Sequence, residues 1–140
     1  MVWDVACRAP GLFRAYAPVA GAFWEPLPAN CAGGVDLFHT HGWADRVVPI
    51  EGRPVAGGEL IQGDLFAALA ILRDSLNCTS DRAGRTAIGG ERWTREWACP
   101  GGVIRLELHP GGHGLPKGWT AGILDWFDRR LSTGTARTGE

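Results

Sequence analysis

The sequence predicts an α/β fold, a sheet covered on its faces by helices, and three observations carry that expectation. Strand-like apolar segments alternate with helical ones through most of the chain. A long helical segment keeps its leucines on one face, and two late strands flank CPGG, whose proline and glycines suit a short hairpin connection. A hydrophobic content of 45% in 140 residues suffices for one core. One domain over residues 1–131 with a polar tail at 132–140 is therefore expected.

In the opening MVWDVACRAPGLF, Val2, Val5 and Ala6 have helical spacing and Pro10 with Gly11 ends the helix, but no capping residue stands before it. Phe13 to Phe23 reads as a short strand stopped near Pro18 and Gly21, followed by a proline-rich connection through Pro28. VDLFHTHG alternates Val35, Leu37, His39 and His41 against Asp36, Phe38 and Thr40, then breaks at Gly42 into the loop WADR and an apolar VVPI. From about Gly58 to Asn77 a helix places Ile61, Leu65, Leu69, Leu72 and Leu76 on one face, and that stripe is core. Strands follow at about Glu91 to Ala98 and Val103 to His109. The last helix, about Thr120 to Leu131, turns Ile123, Leu124, Phe127 and Leu131 inward, while Arg129 and Arg130 suit the negative end of its dipole. The polar stretch Ser132 to Glu140 reads as a frayed tail.

Fourteen basic and fifteen acidic residues leave a net charge of -1, with no electrostatic footprint for nucleic acid or an anionic membrane. A small or neutral partner fits better. No apolar run approaches the roughly 18 residues of a membrane span, and the first residues lack the basic-then-apolar layout of a signal peptide. Cys7, Cys31, Cys78 and Cys99 have no two-residue gap of the zinc or dithiol type. They fit either two disulfides, formed in an oxidising compartment, or four buried thiols, and three pairings are open.

In an open α/β sheet, chemistry is expected in loops beyond the carboxyl ends of parallel strands. Asp45 follows the strand ending at His41, and His113, set in HPGGHG, follows the strand ending near His109. A carboxylate before a histidine is the order of acid and base in an α/β-hydrolase triad, whose serine lies further upstream in a Gly-x-Ser-x-Gly turn. The chain's serines, Ser75, Ser80 and Ser132, have no such context. Simpler roles exist for each residue: a loop histidine bonded to a carbonyl, or an aspartate that turns its own loop. His39 and His41, on one strand face, raise a metal site with Asp45, His109 or His113 as further ligands, but no partners that would orient the rings on a metal can be argued, and no metal is expected. Trp43 and Trp119 are candidates for a substrate pocket, although core packing accounts for most of seven tryptophans. Glu51 and Arg53 read as a solvated loop pair.

The segments VAGAF, HTHGWADRVVPIEGR, LNC, WAC and HPGGHGLP resemble the C-terminal half of secreted-type polyhydroxybutyrate depolymerases and their feruloyl esterase relatives, which are α/β-hydrolases. The most specific parts are residues 41–49 and 111–113, and the likeness extends to about Leu131. It implies a partial α/β-hydrolase domain with a mostly parallel sheet, flanked by helices, that begins just past the nucleophile elbow. Asp45 then falls on the triad acid and His113 on the base. It further implies pairings Cys7 with Cys31 and Cys78 with Cys99, a secreted or periplasmic full-length protein, and no cofactor. The substrate would be a polyhydroxyalkanoate or feruloyl-type ester. Trp43, Arg46 and Leu115 depart from the family's frequent threonine, proline and aromatic, which bears on substrate class.

Two functions are consistent with this reading: an ester hydrolase fragment supplying acid and histidine but inactive alone, or a non-catalytic remnant or dimerising module of the same fold. The resemblance also implies that the strand at Phe13 to Val19 pairs with the nucleophile-bearing strand. Without that strand an open sheet edge is expected, and with it self-association.

Overall fold

The computed structural model describes residues 1–80 and 83–134. Its main sheet has four strands in the order β1 (Leu37–Gly42), β6 (Gly102–His109), β5 (Arg92–Cys99), β4 (Arg85–Gly89). β1 and β6 run parallel, whereas β5 is antiparallel to both β6 and β4. The sheet is thus mixed, and the mostly parallel expectation is corrected. Pro100 and Gly101 alone link β5 to β6, and a parallel connection needs a dozen or more residues.

Both faces are covered at the β1–β6 side of the sheet, as the alternation of elements predicts, whereas β4 is exposed throughout. Leu37, Ile104, Leu106, Leu108 and Trp97 face a core that includes Trp3 and Ala6 of α1 (Val2–Arg8) and Leu65, Leu69 and Leu72 of α2 (Leu65–Ser75). The opposite face carries Phe38, packed edge-to-face on Trp126 of α3 (Trp119–Gly134) at 5.6 Å between centroids. β1 is buried along its whole length because its two faces meet different helices.

Two helices depart from expectation. α2 begins at Leu65, because Asp64 caps it by accepting from the Ala67 N–H at 2.7 Å. Such a cap is worth about 1 kcal/mol. Upstream, residues 53–62 form a small antiparallel pair, β2 (Arg53–Val55) with β3 (Leu60–Gln62), so Ile61 is exposed and not part of the core stripe. Leu65, Leu69, Leu72 and Leu76 are buried as expected, each worth about 1.5–3 kcal/mol of transfer free energy. In α3 the inward residues are Ile123 and Trp126 with the half-buried Phe127, while Leu124 and Leu131 face solvent. The helix continues through Ser132, whose hydroxyl bonds the Asp128 carbonyl, to Gly134; the rest of the expected tail, 135–140, lies outside the described residues.

The stretch Phe13 to Phe23 is not a regular strand. Parallel bridges join Tyr16 to Leu37 and Val19 to Thr40; the Tyr16 and Ala20 N–H groups donate to the Asp36 and Thr40 carbonyls, and the Phe38 and Thr40 N–H groups of β1 donate back to the Tyr16 and Pro18 carbonyls. Pro18 cannot donate, and Ala20 takes φ 48°, so the ladder stops there. VVPI likewise forms no strand; only Ile50 of it enters the core.

Disulfides join Cys7 to Cys31 and Cys78 to Cys99, the pairings the resemblance implies. No helix among the described residues is long and apolar enough to cross a membrane.

Candidate active site

The parallel register of β1 on β6 sets Gly42 opposite His109, so the loops leaving both strands emerge side by side at the sheet's carboxyl edge. They are tied directly: Trp43 N–H donates to the His109 carbonyl at 2.7 Å, and Ala44 N–H to the Gly111 carbonyl at 3.1 Å. A Cβ at position 42 would stand 2.2 Å from the Gly111 oxygen and 2.4 Å from that of Gly112. Close approach of two backbones therefore requires glycine at 42. None of Gly111, Gly112 and Gly114 has a positive φ, so the glycines of HPGGHG do not serve a left-handed turn. At Gly111 a Cβ would come within 2.9 Å of His109 Nδ1, and clearance is its role.

Asp45 and His113, 68 residues apart, meet: His113 Nδ1 lies 3.0 Å from Asp45 Oδ2. The carboxylate is fixed from its other side, since Oδ1 accepts from Val47 N–H at 2.8 Å and Val48 N–H at 2.9 Å. Asp45 thus both turns its own loop and holds the histidine. A carboxylate only accepts, so Nδ1 of His113 carries a proton and, in the neutral ring, Nε2 presents its lone pair. Among the described residues Nε2 has no hydrogen-bond partner, and the side chain is 43% exposed, against 0% for Asp45. Burial pushes the Asp45 carboxyl up, but the Val48, His113 and Val47 contacts together outweigh it and hold the group below its usual range.

His113 borders an open cleft of about 600 Å³, lined also by Arg92, His109, Leu115 and Lys117. Neither Trp43 nor Trp119 lines it. Trp119 donates through Nε1 to the Thr40 hydroxyl at 2.9 Å and packs on the Phe38 side of the sheet, which makes it a tie between α3 and β1. Trp43 is 55% exposed, with its ring 6.3 Å from that of Trp93. None of the three serines bonds His113; Ser75 and Ser132 instead donate to the helix carbonyls of Ile71 and Asp128.

His39 and His41 are buried and bonded to each other, Nε2 to Nδ1 at 2.9 Å, while His41 Nε2 reaches the Val48 carbonyl at 2.8 Å. These contacts occupy the lone pair of His41, and among the described residues no group of three or more such side chains could hold a metal ion. Sequence reasoning raised His41 only as a metal ligand, set aside, and missed its contact with the Val48 carbonyl. The available signal was its parity with Leu37 on the core face.

Burial pushes His39 well below the ordinary histidine value, with the neighbouring His41 adding to the effect. Burial also lowers His41, opposed by the Val48 carbonyl and Asp45 and aided by His113 and His109. Both rings are neutral when folded, whereas the unfolded chain protonates them near 6.5. Stability is then complete above that pH and falls as pH drops below it, because only the unfolded state takes up protons. Each ring that stays neutral in the folded state adds up to about 1.4 kcal/mol per pH unit to that slope. Urea midpoints measured between pH 8 and pH 5 are expected to be flat at the upper end and to fall steeply below neutrality; a flat profile throughout would contradict buried neutral rings.

No protein-family model matches the chain, and no curated protein matches it.

Proposed function

We propose that this chain carries the acid and the general base of a serine ester hydrolase of the polyhydroxybutyrate depolymerase and feruloyl esterase type. The nucleophilic serine comes from outside these 140 residues, in a Gly-x-Ser-x-Gly turn. The observation that carries this reading is the 3.0 Å contact of Asp45 Oδ2 with His113 Nδ1, at the sheet edge where two parallel strands end. Asp45 holds His113 in the tautomer whose Nε2 accepts the serine proton and returns it to the leaving alcohol, and it stabilises the imidazolium formed in between. The open cleft beside His113 admits an ester chain, and the two disulfides suit folding in an oxidising compartment, secreted or periplasmic.

A second reading is a non-catalytic or dimerising module of the same fold. It is favoured by one observation: His113 Nε2 meets no hydroxyl among the described residues.

The test is the reading frame before the Met1 codon, expressed joined to this chain and assayed with p-nitrophenyl esters. Turnover that is abolished both by replacing the upstream serine and by His113→Ala is the expected result. An in-frame stop with no such serine, or a joined product that is soluble and inert, would favour the module instead.

A further inference from the structure

Behind the Asp45–His113 pair β1, the strand that leads into the Asp45 loop, carries two more imidazoles. His41 Nε2 lies 2.8 Å from the Val48 carbonyl oxygen and His39 Nε2 lies 2.9 Å from His41 Nδ1. A carbonyl only accepts, so His41 carries its proton on Nε2 and offers Nδ1 as acceptor; with both rings neutral, His39 then donates from Nε2. One proton arrangement satisfies both contacts.

Val48 is thereby gripped from two sides, its carbonyl by His41 and its N–H by Asp45 Oδ1 at 2.9 Å. Asp45 Oδ2, the atom that meets His113, also stands 3.5 Å from His41 Nε2. We propose that His41, fixed in one tautomer by His39, is a positioning residue: it locks the Val47–Val48 turn that aims Asp45, and through Asp45 it orients the imidazole of His113. The inference rests on Asp45 and His113 being the reacting pair proposed above.

The alternative is that the two histidines merely fill the core. Against it stands His39 Nδ1, which is buried without a partner beneath Trp3, an uncompensated desolvation that an apolar residue would avoid. Leu37, on the same strand face, shows that aliphatic side chains pack there. What His39 supplies and a leucine does not is a donor to His41 Nδ1.

Nitrogen-15 spectroscopy of the oxidised, isotope-labelled chain tests this without ester turnover. Expected are His39 and His41 as Nε2–H tautomers and His113 as the Nδ1–H tautomer, its proton slow to exchange with water. His41→Gln keeps an N–H donor at about the place of Nε2 and is expected to leave the His113 signal intact. His41→Phe removes the donor and is expected to speed Nδ1 proton exchange at His113 by about tenfold or more, the equivalent of one lost hydrogen bond. A wild-type His41 in the Nδ1–H form would overturn the proposal, as would a folded His41→Phe with His113 unchanged. Should His41→Phe not fold, the wild-type tautomer and His41→Gln decide alone. Failure of hydrolysis with these signatures intact would count against the ester reading and leave the positioning role standing.

Discussion

Reduction of both disulfides is expected to abolish the cooperative folded state. Cys7–Cys31 and Cys78–Cys99 close loops with separations of 24 and 21 residues. On the chain-entropy estimate each loop of that size contributes about 3.4 kcal/mol. Together they approach about 7 kcal/mol, against a total of about 5–15 kcal/mol for a typical domain. Their placement adds to the effect. The first ties α1 to the connection before β1, where one further backbone bond, Ala32 N–H to the Cys7 carbonyl, joins the two. The second ties the end of α2 to the β5–β6 turn, beside the Gly101 N–H bond to the Leu76 carbonyl. Thermal melts followed by near-UV circular dichroism with and without dithiothreitol would show the loss. A reduced chain melting within a few degrees of the oxidised one would mean that the core stands without them.

The second large effect concerns Asp45→Asn in the joined, serine-bearing product described above. Asparagine keeps an oxygen for the Val47 and Val48 N–H groups, so the turn survives. Its amide, turned toward His113, donates where the carboxylate accepted. Nδ1 must then be the unprotonated nitrogen, Nε2 carries the proton, and the ring can no longer accept one from serine. By analogy with Ser-His-Asp triads the expected loss in kcat is about 10⁴-fold, with folding unimpaired. Stopped assays with a p-nitrophenyl ester, alongside circular dichroism to verify the fold, would measure it. A loss of less than tenfold would remove Asp45 from the reaction and leave it a loop-turning residue.

Much of this was legible in the residues, for reasons that differ by element. The hairpin of β5 and β6 announces itself through CPGG, and the core stripe of α2 through leucines at helical spacing. The start of α2 was misplaced because Ile61 continues that spacing, whereas the Asp64 cap and the β2–β3 pairing decide the boundary at Leu65. β4 has no apolar alternation to read: all five of its residues are exposed, and it exists only by pairing with β5. Trp119 looked like a pocket residue because an indole serves either purpose, and only its bond to Thr40 assigns it to packing.

The sequence by itself determined which side chains are offered: a carboxylate and an imidazole, each in a glycine-loosened loop directly after a strand, and four cysteines. Only the tertiary structure decided that they meet. Strand order and register are set by long-range pairing, which leaves no local pattern. The parallel alignment of Gly42 with His109 brings positions 68 residues apart to one sheet edge and pairs Asp45 with His113. That same folding placed His39 and His41 behind them, where burial turns two ordinary histidines into neutral hydrogen-bonding groups.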